Sequence, residues 1–206
     1  MMFPTIVCYY TQDTAYEEHV QKLIASCEKF QLPYSVDAIP NLGTWERNCC
    51  YKPQYILRKL TELQKPVLWI DADATIIQKP TIFEDFSPDI ALRIVEDVPD
   101  DHPSKMISGT VYFNHTPQAF DILKAWDKEC ERLLQKEIEV WDQVALRNVL
   151  LKSRANIYGL SKAYYMVYDR IKENEEVFIM HYQASRVEKK VINQEVIPFW
   201  NAPQSS

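Results

Sequence analysis

Three glycines in 206 residues leave this chain without a glycine-rich loop for cradling phosphates, and no stretch is rich enough in glycine or serine to join two domains. A nucleotidyltransferase, which normally carries a basic, glycine-rich loop near its N-terminus, is therefore disfavoured. Basic charge is also scarce: 23 Lys and Arg stand against 29 Asp and Glu, for a net charge of -6 and a pI near 5.3. That balance argues against a general nucleic-acid or anionic-membrane surface, so any polyanionic ligand must be met locally. No segment reaches the roughly 18 uninterrupted apolar residues of a spanning helix, and residues 1–8 (MMFPTIVC) lack a charged n-region before an apolar stretch. The expectation is a soluble, unexported, cytoplasmic protein.

Paired metal-binding cysteines are missing too. Cys8, Cys27, Cys49, Cys50 and Cys130 are odd in number and show no CxxC spacing with histidines, which favours free thiols in a reducing compartment. No internal repeat or low-complexity tract interrupts the chain.

What is present is enough for a core: 47% hydrophobic and 12% aromatic residues predict one domain over 1–206, with a frayed tail at 202–206. Thr5–Thr11 reads as a strand and 15–30 as a helix with Val20, Leu23, Ile24 and Cys27 on one face. Residues 32–39 predict a second strand, 51–63 a helix with Pro53 in its first turn, and 66–75 a third strand. Further strands are expected at 90–95 and 109–114, separated by a polar loop over 96–104 that could form a lid. Helices follow at 117–134 and 141–151, then a strand or strand pair at 157–168 and an apolar run over 176–180 that delivers His181. Strand and helix alternate, which predicts an α/β fold: a mostly parallel, mixed central sheet flanked by helices, with a Rossmann-like N-terminal half.

The most informative run is Val67-Leu68-Trp69-Ile70-Asp71-Ala72-Asp73-Ala74-Thr75. If the strand continues, alternation points Asp71 and Asp73 to one side. Two like charges at the end of a buried strand are tolerable mainly when a divalent cation or a shared proton neutralises them. Ligands in open α/β sheets sit outside the carboxyl ends of strands, where Asp71/Asp73, Ser108/Gly109 and His181 are all expected. Two carboxylates and an imidazole, with open positions left on the cation, suit the two phosphates of a nucleotide-sugar.

These residues, in order, resemble the GT-A glycosyltransferases, or nucleotide-diphospho-sugar transferases, in particular the glycogenin-like and bacterial lipopolysaccharide galactosyltransferase branch. The likeness is carried by TIVCYYT, by Lys52-Pro53 ahead of VLWIDADATIIQKP, by Ser108-Gly109-Thr110-Val111-Tyr112-Phe113-Asn114, by Trp141-Asp142-Gln143, and by His181 after an apolar strand. It implies Mn²⁺ or Mg²⁺ held by Asp71, Asp73 and His181, and a nucleotide-diphosphate-sugar donor, UDP-sugar favoured. Tyr9, Tyr10 and Thr11 would border base and ribose; Ala72 and Asp71 would lie along the donor. Lys52 would lie near its phosphates or sugar, Ser108 and Gly109 under the sugar, and Asp142 and Gln143 at the reacting carbon. Transfer to a glycan, lipid-linked or protein hydroxyl is implied, with retention. Gln183-Ala184-Ser185-Arg186 replaces the family's usual glycine- and lysine-containing segment, with Arg186 as the substitute for phosphate contacts.

Plainer readings compete. Asp71 and Asp73 could cap a turn, Asp142 could be a helix N-cap, Lys52 a solvated helix-start residue, and Ser108-Gly109 an ordinary turn. Of the alternating Tyr9 and Tyr10, one is expected to reach a ligand and the other to pack. Asp71-Ala72-Asp73-Ala74-Thr75 also fits the nucleophile loop of haloacid-dehalogenase-type phosphatases, with Asp71 as nucleophile and Asp73 as acid/base.

Overall fold

The computed structural model describes residues 3–136 and 141–195; the predicted frayed tail lies outside them. Its main sheet has six strands in the order β2-β1-β3-β6-β5-β7, made by β1 (Thr5–Thr11), β2 (Tyr34–Ile39), β3 (Val67–Ile70), β5 (Ile90–Ile94), β6 (Met106–Phe113) and β7 (Ile157–Leu160). The pairings β1·β2, β1·β3 and β5·β7 are parallel, and β6 runs antiparallel to both of its neighbours. A second sheet, ordered β4-β9-β8, holds β4 (Ala74–Ile76), β8 (Met166–Val167) and β9 (Ile179–His181). The helices are α1 (Tyr16–Lys29), α2 (Trp45–Cys50), α3 (Lys52–Leu63), α4 (Pro117–Leu134), α5 (Asp142–Leu150) and α6 (Ser185–Glu195). None of the described helices is long and apolar enough to cross a membrane.

Strand alternation builds a core on each side of the main sheet. Val7, Tyr9, Val67, Trp69, Val111 and Phe113 face α3, α4 and α5, whereas Ile6, Cys8, Leu68, Ile70 and Tyr112 face α1 and β4. α1 offers Val20, Leu23 and Cys27, the stripe its spacing predicts. Trp126 of α4 is fully buried, and its indole Nε1 donates to the Asp142 carbonyl at 2.7 Å, which fixes where α5 begins.

Three expectations change. The run 66–75 is two strands: β3 stops at Ile70, residues 71–73 turn, and β4 joins the other sheet. The helix expected over 51–63 starts at Lys52 and is preceded by α2, because Pro53 cannot donate a backbone hydrogen bond and so cannot sit inside one continuous helix. β6 starts at Met106, so Ser108 and Gly109 lie within the strand and are not a turn leading into it.

Ser26 ties the two layers together. Its Oγ donates to the Leu23 carbonyl at 2.7 Å and accepts the Ile76 N–H at 3.1 Å, anchoring β4 to α1. Ser26→Ala leaves a buried N–H unsatisfied, which costs about 1–3 kcal/mol. Urea unfolding should show a lower midpoint at unchanged slope; an unchanged midpoint would remove this anchor from the account.

Candidate functional site

The turn at 71–73 places both carboxylates. The Asp71 N–H donates to the Gly109 carbonyl at 2.9 Å, continuing the β3·β6 pairing one residue past the strand, and the Ala74 N–H closes the turn on the Asp71 carbonyl at 3.0 Å. The acids therefore converge through a turn, not through the predicted strand alternation. Antiparallel pairing of β4 with β9 sets Ala74 opposite His181, and the Tyr182 N–H extends it to the Asp73 carbonyl at 3.0 Å. Asp71, Asp73 and His181 thus bring ligand atoms within 4.8 Å of one another.

Each of the three is held differently. Asp71 Oδ1 accepts from Trp69 Nε1 at 2.7 Å and from Lys52 Nζ at 3.0 Å. Asp73 Oδ2 accepts the Ala184 N–H at 2.7 Å. Burial, reinforced by the Asp71 charge, raises the Asp73 carboxyl to about 6. His181 is 1% exposed; its Nε2 meets Thr110 Oγ1 at 2.9 Å and its Nδ1 is buried with no partner. Burial, with the Lys52 charge adding, pushes the imidazole down to about 3, so it stays neutral. A neutral imidazole with one nitrogen oriented by a hydroxyl and the other unpartnered is a prepared ligand.

Lys52 is not solvated. Only 5% exposed, it bridges Asp71 at 3.0 Å and Asp142 at 2.9 Å, and lies 5.1 Å from the centre of the Trp69 ring. Burial disfavours its charge, but Asp142 and Asp71 together outweigh that and hold the ammonium well above the usual lysine range. Asp142 is not the N-cap; that position belongs to Trp141, and the buried Asp142 carboxylate turns to Lys52. The Gln143 amide accepts from the Ser108 N–H at 3.3 Å and donates to the Pro103 carbonyl at 2.8 Å. It fastens the connection between β5 and β6 onto the strand, and Arg147 does the same at the Asp101 carbonyl.

A cleft of about 910 Å³ opens above these groups, lined by every residue given a site role from the sequence except the buried His181. Tyr9 is 8% exposed, with its hydroxyl on the Asn48 carbonyl and its ring against Tyr51, Tyr55 and Trp69, while Tyr10 is more open, as alternation predicts. Thr11 and Ala72 are buried in the wall. Arg186 lines the cleft from α6 but is paired with Asp169.

The sequence assigns no site role to Trp69, Thr110 or Tyr165. Alternation puts Trp69 on the side of Asp71, a signal available in the sequence. Tyr165 gave none: its ring centre lies 4.2 Å from that of His181, its hydroxyl accepts from Gln183 at 2.9 Å, and its ring packs on the side of Gly109 where a Cβ would project. A Cβ at position 109 would sit 2.3 Å from that ring and 2.9 Å from Asp71 Oδ2, so clearance is what demands glycine there.

The sequence profile of the nucleotide-diphospho-sugar transferases matches residues 11–192, and the chain belongs to that family. A glycosyltransferase involved in glycosylating the major capsid of PBCV-1 is similar at a TM-score of 0.68 and 12% identity, over 95% of this chain and 98% of that one. The galactosyltransferase LgtC, solved with donor and acceptor sugar analogs, gives a TM-score of 0.54 and 10% identity, over 93% and 95%. These likenesses establish a GT-A fold. No curated protein sequence matches significantly. The chain is a glycosyltransferase using a nucleotide-diphosphate-sugar, and the phosphatase alternative falls away.

The Asp73 shift has a sign that can be measured in metal-free protein. Because its folded value is raised, its stabilising contribution is full below about pH 4 and is lost as pH rises through about 6. Asp73→Asn should flatten the fall in Tm over that window and raise Tm at pH 7, since an amide oxygen can still accept the Ala184 N–H. A lower Tm for the variant at pH 7 contradicts the assignment.

Proposed function

We propose that the chain moves a sugar from a UDP-sugar to a hydroxyl of a glycan, lipid-linked or protein acceptor, with retention, using Mn²⁺ or Mg²⁺ held by Asp71, Asp73 and His181. One domain over 1–206 carries this activity in the cytoplasm, a placement supported by five free cysteines. The observation that carries the reading is the unpartnered, buried His181 Nδ1 beside two carboxylates. Two oxygens and one nitrogen form a hard donor set that fits such an ion. When bound, the ion supplies Lewis-acid stabilisation of the departing diphosphate, worth several kcal/mol.

The chain's own residues do the rest. Tyr9, Tyr10 and Thr11 border the base and ribose, with Ala72 and Asp71 next along the donor. Ser108 and Gly109 form the floor under the sugar, and Asp142 and Gln143 stand at its reacting face. Lys52 has its charge divided between two carboxylates, so its part is to hold Asp71 and Asp142 in place as much as to meet a phosphate. Retention rests on the resemblance to the galactosyltransferase branch. An inverting enzyme would need a carboxylate as base, for which Glu96, Asp97 or Asp142 could serve.

Two measurements test this. With Mn²⁺ present, UDP at 100 times its Kd should stabilise the protein by about 2.7 kcal/mol, and much less without the ion. GDP and CMP should give smaller shifts. The same shift with and without Mn²⁺, or none with any nucleotide, overturns the metal or donor assignment. NMR of the product should show the donor's anomeric configuration kept; the opposite anomer overturns retention.

A further inference from the structure

The strand order serves as a ruler across the cleft. Tyr9–Thr11 close β1, Asp71 follows β3, Ser108 and Gly109 lie on β6, and Arg93 is near the end of β5. β1 and β5 are three strand spacings apart, or ~14 Å at ~4.8 Å per spacing. A donor laid from β1 to the acid pair puts its sugar over β6 and leaves the β5 side for the acceptor. The backbone prepares that side. Leu92 pairs with Val111, but the next residue, Arg93, pairs with Ile107, so Ser108, Gly109 and Thr110 face no residue of β5. Such a bulge re-aims side chains, and Arg93 lines the cleft beyond it.

Arg93 has one polar contact, to the Leu160 carbonyl at 3.4 Å, and no ion pair among the described residues. Arg170, on the exposed turn at 168–170 and close enough to Asp169 to join Arg186 in lowering its carboxyl, also lines the cleft with no salt bridge among the described residues. The nearby Lys162 is balanced by Glu175. Trp141, 39% exposed at the start of α5, offers an aromatic face in the same cleft. In a chain of net charge -6, two cleft arginines without an ion pair among the described residues are not explained by overall composition.

We infer that Arg93, supported by Arg170, binds an anionic group on the acceptor, a phosphate or carboxylate borne next to a sugar that rests on Trp141. Guanidinium pairs with either anion through two parallel hydrogen bonds, and the half-buried setting of Arg93 strengthens them. The inference rests on the donor reading above, since it takes the β1 side as occupied by nucleotide.

The test measures binding of methyl β-glucoside, glucose 6-phosphate, glucuronate and a polyprenyl phosphate in micelles to protein saturated with Mn²⁺ and UDP. At least one charged probe should bind roughly tenfold more tightly than the neutral glucoside. Whichever charged probe binds best identifies the source: sugar phosphate, uronate or lipid-linked phosphate. Arg93→Gln should remove the preference and Arg93→Lys keep part of it, while Trp141→Ala weakens every sugar probe alike. Equal binding of neutral and charged probes, or a preference that survives in Arg93→Gln, overturns the inference. The Mn²⁺·UDP thermal shift separates the two readings: without it in wild type the donor assignment fails, and with it a missing preference sinks only this one. Should Arg93→Gln lose that shift and its fold, Arg170→Gln and the salt dependence decide. The preference should shrink in Arg170→Gln and between about 50 and about 500 mM salt; no change in either overturns the inference.

Discussion

One ammonium buried among carboxylates is the constraint around which this protein is arranged. Lys52 reaches both Asp71 and Asp142, joining the start of α3, the end of β3 and the start of α5 through a single charge. Removing one partner of such a cluster leaves an uncompensated buried charge, which is far costlier than losing an exposed pair. Asp73 lies outside this bridge. Its carboxylate has a backbone N–H and a neutral imidazole for company, so the unbalanced negative charge of the site collects on the Asp73 side, facing His181.

The backbone makes that concentration of charge sustainable. The acid pair occupies the chain's passage from the main sheet to the small one, with β4 fixed from behind by Ser26 and from the side by β9. No residue of the triad owes its position to a flexible side chain reaching across solvent. The same logic runs on the other side of Gly109, where β5 and β6 part company and the connection between them is fastened by Gln143 and Arg147.

Much of this was legible in the residues. VLWIDAD announces a buried strand meeting two acids, and the apolar run before His181 announces its delivery, because both signals are local. The reason for the acids' convergence was misread, since a turn and a strand of such short length look alike in sequence. Lys52 was expected beside the donor, but its bridge between two carboxylates left no local sign because the partners are 19 and 90 positions away. Tyr165 left no trace for the same reason. α6 escaped because Val187 and Val191 point outward, at 63% and 44% exposure, so its apolar residues do not mark a core-facing stripe.

Gly109 and Tyr165 share one volume of space, although 56 positions separate them in the chain. The backbone at 109 is ordinary extended strand, so stereochemistry alone would admit alanine or serine there. What bars them is the ring on one hand and the Asp71 carboxylate on the other. A lineage that enlarges position 109 has to move the tyrosine ring and also disturb a carboxylate of the acid pair, so the glycine is tied to the site itself.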